Sequence, residues 1–229
     1  MCAALLISLL AVSTGSNAGC GEEAFRLSTV QGKGNDSPLV GQTVTVEGII
    51  TLDSRNPGGW RGFYLQQADA ETDNNLDTSE ALFIYTNRKA GKEGDRVRVT
   101  GRVKEYHGLT ELTQVSELNV CGTDKLPRAV AVSLPWPGNR PPENLENMRV
   151  RLAKPLSITG AYSFARYGEI ILAGQPQVIP TQIMPPGPKA LALEGQQSLH
   201  RLILDDGRSR RDPRPLPWPS QPLMEGKPV

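Results

Sequence analysis

Between residues 42 and 120 the chain repeats one device five times: a short run with apolar residues at every second position, ended by glycine or a turn. QTVTVEGIIT, residues 42–51, sets Val44, Val46 and Gly48 between polar neighbours and turns fully apolar at Ile49 and Ile50. Period two is the mark of a half-buried strand, and Gly48 is the expected bend. Residues 62–67 (GFYLQQ) and 81–85 (ALFIY) read as the second and third strands. Residues 96–106 (RVRVTGRVKEY) put Val97, Val99, Gly101 and Val103 on one face. A tight His107-Gly108 turn then leads into a fifth strand over 109–120. Five strands in about 80 residues, two of them bent at glycine, predict a small closed barrel, and the five-stranded barrel that fits is the OB-fold. The helix usual between strands three and four has little room, because residues 86–94 form only a lysine- and glycine-rich link. With 23 glycines, 19 prolines and no long amphipathic helical pattern, the expected fold class is all-β.

The pattern returns more faintly further on. NMRVRL at 147–152 echoes GQTVTV, GEIIL at 168–172 echoes GFYL, and LHRLILDDG at 199–207 is another strand ending in an Asp-Gly turn. The expected organisation is an OB-like barrel at 19–134, a proline-rich linker at 135–143 and a partial second β-barrel-like domain at 144–207. An Arg/Pro-rich tail follows at 208–229, with Arg208, Arg210, Arg211 and Arg214 but no strand to close a second barrel.

Residues 1–18 read as a signal peptide: 3–12 are apolar, and Ser16-Asn17-Ala18 offers small residues to a peptidase, although no positive residue precedes the apolar run. Cleavage near Ala18 implies a secreted or periplasmic protein. Acylation of Cys20 is the weaker alternative, since Asn17 sits where such sites carry leucine. No run is long enough to span a membrane. Cleavage removes Cys2, and the remaining pair in an exported chain, Cys20 and Cys121, is most simply a disulfide. Two cysteines and two histidines make a zinc site a poor reading. The net charge of +1 argues against a strongly basic nucleic-acid binder, so any cationic surface must be local.

The ordered series QGKGNDSPLVGQTVTVEGIIT, GFYLQQAD, TSEALFIYT, GDRVRVTGRVKEYHGLTEL and LILDDG resembles the N-terminal region of bacterial extracellular nucleases. These carry an OB-like module ahead of an endonuclease/exonuclease/phosphatase catalytic domain. The resemblance runs from Cys20 to Pro219 and implies cysteines near positions 20 and 121, in keeping with the disulfide. It also implies a metal-dependent nuclease in the full-length relatives, with metal-binding acids, paired histidines and a Ser-Asp-His ending. This sequence contains no Ser-Asp-His.

Four constellations could carry chemistry. Asp69, Glu71, Asp73, Asn75, Asp77 and Glu80 fall at positions 1, 3, 5, 7, 9 and 12 of a calcium loop, with Asn74 in the place of glycine at position six. Strands flank this loop where helices should, so a solvated acidic turn is the competing reading, and Ca²⁺ is the one cofactor suggested. The second is an aromatic and basic face. Phe63 and Leu65 point to the core with Tyr64 and Gln66 outward. Trp60 and Arg61 sit at the strand entry, Tyr106 and His107 at a neighbouring turn, and Arg55, Arg88, Lys89 and Lys92 around the same mouth. OB barrels hold single strands by stacking bases on aromatics in a cationic groove; otherwise Trp60 and Tyr106 cap the core and the lysines are an ordinary wet loop. The third is the arginine cluster at 208–214, either a phosphate grip or a solubilising tail. The fourth pairs His200 with Asp205 and Asp206, but Leu202, Ile203 and Leu204 intervene and the acids are better explained as the turn ending a strand. No nucleophile elbow or phosphate-cradling glycine loop occurs, so this chain alone is not expected to catalyse.

The expected role is a non-catalytic, DNA-binding accessory region of a secreted nuclease, taking single strands and working with a nuclease catalytic domain in cis or in trans. The alternatives are a structural or protein-binding OB-like module without nucleic-acid contact, and a gene fragment without independent function.

Overall fold

The alternating segments fold as expected. In the computed structural model, which describes residues 19–137 and 142–215, β1 (Thr43–Asp53), β2 (Gly62–Gln66), β3 (Ala81–Tyr85), β4 (Asp95–Glu105) and β5 (Thr110–Thr123) close a barrel in the order β1-β2-β3-β5-β4. All neighbours are antiparallel except β3 and β5, which pair in parallel at Phe83–Glu111 and Ile84–Leu112. The protein is therefore mainly β, built on an OB-like five-stranded barrel. The signal peptide expected at 1–18 and residues 216–229 of the tail lie outside the described residues.

β1 is long because it serves two partners, β4 along residues 43–49 and β2 along 49–53. The handover comes one residue after Gly48, while the irregularity in register falls between Ile50 and Leu52, so the bend is shared between the glycine and a bulge. Inward-facing Val44, Val46, Phe63, Leu65, Ile84, Val97, Val99 and Leu112 form the core. Fully burying a side chain such as Phe63 contributes about 1.5–3 kcal/mol. One end is plugged by α1 (Leu27–Gln31), whose Leu27 and Val30 are fully buried against the same core. Five residues are too few for a helical period, and this element was not legible in the sequence. Tyr106 and Leu109 exchange backbone hydrogen bonds of 2.9 and 3.1 Å across His107 and Gly108, both with positive φ, a two-residue turn of the kind expected.

Beyond the barrel, β6 (Val130–Val132) pairs in parallel with β7 (Val150–Leu152). β8 (Ser157–Gly160), β9 (Ile170–Ala173) and β10 (Arg201–Leu204) form an open antiparallel sheet in the order β10-β9-β8. Leu156, Ile158, Ile170 and Leu172 make its small core. The short helices α2 (Phe164–Tyr167) and α3 (Pro180–Ile183) precede a longer one, α4 (Pro188–Ser198). α4 starts on proline, a favoured first helical residue, but its exposed Leu191 and internal Gly195 blur the amphipathic signal. Trp136, inside the stretch expected to be a linker, donates from its backbone to the Leu199 carbonyl (2.7 Å) and from its indole to the Arg201 carbonyl (2.9 Å). That half of the linker is thus part of the second unit's packing. Among the described residues no helix is long and apolar enough to cross a membrane.

Two devices tie the periphery to the barrel. Cys20 and Cys121 form the expected disulfide, across 101 residues of sequence. Beside it the buried Arg98 donates to the carbonyls of Glu22 and Glu23 at 2.8 and 2.7 Å, fixing the N-terminal segment on β4. The second device is a strap, residues 143–149. Ser79 donates to the Glu146 carbonyl at 2.5 Å, the Thr110 amide to the Glu146 carboxylate at 3.1 Å, and the Arg149 amide to the Gln66 side chain at 2.9 Å. Gln66 points outward as expected yet is only 3% exposed, because the strap covers it.

Two predictions follow from these ties. Replacing Cys20 and Cys121 with alanine releases a loop of 101 residues and costs about 2–5 kcal/mol, read from denaturant unfolding of variant against oxidised wild type. Under the strap, burial pushes Glu80 and Glu146 from an ordinary 4.5 up to about 7. The fold thus favours their protonated forms. Their contribution is complete below about pH 4.5 and is lost as pH rises toward 7, on the order of 1–3 kcal/mol for the pair. The Glu80→Gln/Glu146→Gln variant is expected to lose that fall in melting temperature between pH 5 and 7.5. Asp53 and Glu71, held below their usual range by hydrogen bonds from Arg55 and Arg96, act in the opposite sense and only at lower pH.

Candidate nucleic-acid interface

The loop between β1 and β2 shows why GGWRGFY is written as it is. Ser54, only 5% exposed, sits at its neck. The Ser54 amide donates to the Gly62 carbonyl (2.9 Å) and the Arg61 amide to the Ser54 carbonyl (3.1 Å). The Ser54 hydroxyl accepts from the Trp60 amide at 2.9 Å and donates to the Gly207 carbonyl at 3.3 Å. A Cβ at Gly59 would lie 2.3 Å from the Ser54 carbonyl oxygen, so only glycine lets the loop cross its own neck. A Cβ at Gly62 would lie 2.4 Å from the Phe83 ring, which rests on that bare backbone.

From this neck Trp60 is held out over the barrel wall, 38% exposed. Its ring centroid lies 6.2 Å from that of Tyr64, and Tyr64 lies 5.1 Å from Phe83, both tilted. Geometry of this kind adds about 0.5–1.5 kcal/mol per pair beyond burial. Across from them, Tyr85 ends β3 and Tyr106 ends the β4–β5 hairpin, with exposures of 37% and 52%. The open groove between them has a volume of about 430 Å³ and is lined by Trp60, Phe83, Tyr85, Lys104, Tyr106, Leu109, Glu111, Thr113 and Ser209. It lies on the barrel face bounded by the β1–β2 loop and the β4–β5 turn, the face through which OB barrels take oligonucleotides and oligosaccharides.

Two cations flank the aromatics: Arg61 lies 5.6 Å from the Tyr85 ring centre and Lys104 lies 4.5 Å from that of Tyr106. Lys104 also approaches Glu111 at 3.5 Å. Burial pushes the Glu111 carboxyl upward, and Lys104 opposes that shift.

The structure thus gathers Trp60, Arg61 and Tyr106 at one groove, with His107 beside Tyr106 at a ring separation of 4.5 Å. It places the others differently. Arg55 does not face the groove: its guanidinium grips both Asp53 carboxylate oxygens and the carbonyls of Arg88, Ala90 and Gly91, all at 2.7–2.8 Å. It is a structural knot between the β1–β2 loop and the link to β4. Tyr64 is a buttress beneath Trp60, and burial, then the charge of Asp205, pushes its phenol well above the usual range. Arg88, Lys89 and Lys92 are exposed on the 86–94 link outside the groove lining. Sequence reasoning missed Ser54, Phe83, Tyr85, Lys104, Glu111 and Ser209. Alternation in ALFIY could have found two of them, since buried Leu82 and Ile84 turn Phe83 and Tyr85 outward.

The acidic loop does not gather its six oxygen donors. Asp69 binds Arg128 (2.9 Å), Glu71 binds Arg96 (2.8 Å), and Glu80 accepts the Asp73 amide (2.8 Å). Asp73 and Asn75 accept the amides two residues on, and Asp77 reaches toward Lys33 at 3.9 Å. Asn74 does take positive φ, at 58°. Among the described residues no group of three or more His, Cys, Asp or Glu is arranged to hold a metal. Asp205 and Asp206 accept the amides of Gly207 and Arg208 at 2.6 and 3.0 Å, the turn-ending role expected of them. No protein-family model matches the chain, and no curated protein is significantly similar to it in sequence.

Proposed function

We propose that this chain is a non-catalytic module that binds single-stranded nucleic acid, with bases stacked in the groove between Trp60, Tyr85 and Tyr106. The observation that carries this reading is the groove itself: three partly exposed aromatics converge on one face of an OB-like barrel, with two cations beside them. Stacking is tolerant of base identity and contributes about 1–3 kcal/mol per base. The lining is mostly aromatic and apolar, and its one acid, the buried Glu111, disfavours phosphate directly above it, so the bases are the part that enters. The resemblance to extracellular nucleases makes DNA the substrate strand and a nuclease catalytic domain, in cis or in trans, the working partner. The disulfide supports an exported location, since such bonds persist in oxidising compartments.

A second reading, a packing module that never touches nucleic acid, is favoured by a different feature. Val178, Ile179, Ile183 and Leu191 are all exposed on the second unit, an apolar surface suited to another protein domain.

Fluorescence anisotropy with a labelled oligothymidylate at low salt separates the two. The expected result is saturable binding, quenching of tryptophan emission, and a loss of affinity of roughly 5- to 100-fold in each of Trp60→Ala and Tyr106→Ala. Absence of binding by the wild type at low salt overturns the nucleic-acid reading.

A further inference from the structure

The barrel face offers aromatic rings but few charges for the phosphates that must accompany stacked bases. Arg55 is fully engaged elsewhere, Lys104 is shared between Glu111 and the Tyr106 ring, and the whole chain carries a net charge of only +1. A single strand stacked in this groove needs cations along one rim.

The second unit brings them there. After β10 the chain turns at Asp205 and Asp206 and docks on the β1–β2 loop. Arg208 forms a β-bridge with Gly59, and the Ser209 amide donates to the Gly58 carbonyl at 2.7 Å. The Ser209 hydroxyl reaches the carbonyls of Gly58 and Gly59 at 3.2 and 3.4 Å, and the Ser54 hydroxyl holds the Gly207 carbonyl. Ser209 consequently lines the aromatic groove beside Trp60. The next residue, Arg210, has its Cβ 3.9 Å from where a side chain on Gly58 would begin. Arg208 is an anchor, drawn back to Asp206 (3.6 Å) and the Pro215 carbonyl (3.2 Å). Arg210 and Arg211 are both exposed; Arg211 lies 5.9 Å from the Tyr167 ring centre, and Asp212 is fixed by its amide on the Arg166 carbonyl at 2.8 Å.

We infer that Arg210 and Arg211 form the phosphate-binding rim of the aromatic groove, so that one nucleic-acid site is built jointly by the barrel and the second unit. The inference rests on the groove reading above and adds to it: the rings hold bases, and the docked turn holds the backbone beside them. Arginine suits this position because its planar guanidinium meets a phosphate with two parallel hydrogen bonds. Within the 208–214 cluster, Arg208 then anchors the turn while Arg210 and Arg211 meet the phosphates.

The test is a salt series of anisotropy titrations on the full chain, using a labelled oligothymidylate of about twelve nucleotides. The variants are Arg210→Gln/Arg211→Gln, Arg210→Lys/Arg211→Lys and Trp60→Ala. Each phosphate contact on a single strand contributes about 0.7 to the slope of log K against log salt. The glutamine pair is expected to lower that slope by about 1.4 and to weaken binding at low salt by roughly tenfold, while tryptophan quenching at saturation persists. The lysine pair keeps the slope, and Trp60→Ala weakens binding with the slope unchanged. If the wild type binds and Trp60→Ala weakens it, but the glutamine pair leaves the slope as it was, the arginine rim is overturned and the groove stands. If the wild type does not bind, both fall.

Discussion

The groove face depends on a seam only two residues long. β3 and β5 meet in parallel at Phe83–Glu111 and Ile84–Leu112, and without that pairing the barrel is an open sheet. Leu82, Ile84 and Leu112 draw the seam shut from inside, where each is fully buried. The outward partners of those residues are Phe83, Tyr85, Glu111 and Thr113, which form the floor and one wall of the groove. Hydrophobic closure and aromatic groove are thus two sides of the same strands. The strap at 143–149 reinforces the seam from outside by engaging Ser79 at the mouth of β3 and Thr110 at the start of β5. The Glu146 carboxyl of the strap and the nearby Glu80 carboxyl are both pushed upward by burial, which ties this contact to pH.

A second dependence runs through Ser54. One hydroxyl receives the Trp60 amide and holds the Gly207 carbonyl, so the same atom sets the tryptophan and anchors the turn of the second unit. A hydroxyl can do both because it donates one hydrogen bond and accepts others. Apolar packing alone would leave the loop's peptide groups unpaired in a buried neck, at about 1–3 kcal/mol for each group. The aromatic wall and the arginine turn are therefore set by a common support.

Much of the barrel was legible because period-two alternation survives wherever one strand face is buried. Val44 and Val46, then Val97, Val99 and Val103, report their inward face directly. The second unit was less legible. Its strands are three or four residues long, and the helix at Pro188–Ser198 leaves Leu191 in solvent, so neither period can establish itself. The site was legible in part. Trp60 and Tyr106 stand out as aromatics beside turns, whereas Ser54 and Ser209 act through tertiary contacts across about 150 residues, which no local pattern encodes. Arg55 shows the converse: an arginine placed by sequence around the barrel mouth reads as a ligand contact, yet five hydrogen bonds to protein acceptors consume its whole fork.

The acids at 69–80 and the rings at 60–64 follow one another in sequence but do not share a surface. Arg96 draws Glu71 together with Glu47 and Asp124, and Arg128 draws Asp69, so two of the loop's acids are paired with cations on β4 and beyond it. Exposed charges separated by more than about 10 Å are largely screened at moderate salt, and paired ones sooner. None of the acids at 69–80 lines the aromatic groove, whose one acid is Glu111. In a nearly neutral protein, attraction for a polyanion depends on where its arginines stand, and here the fold docks the turn that carries Arg210 on the β1–β2 loop that holds Trp60.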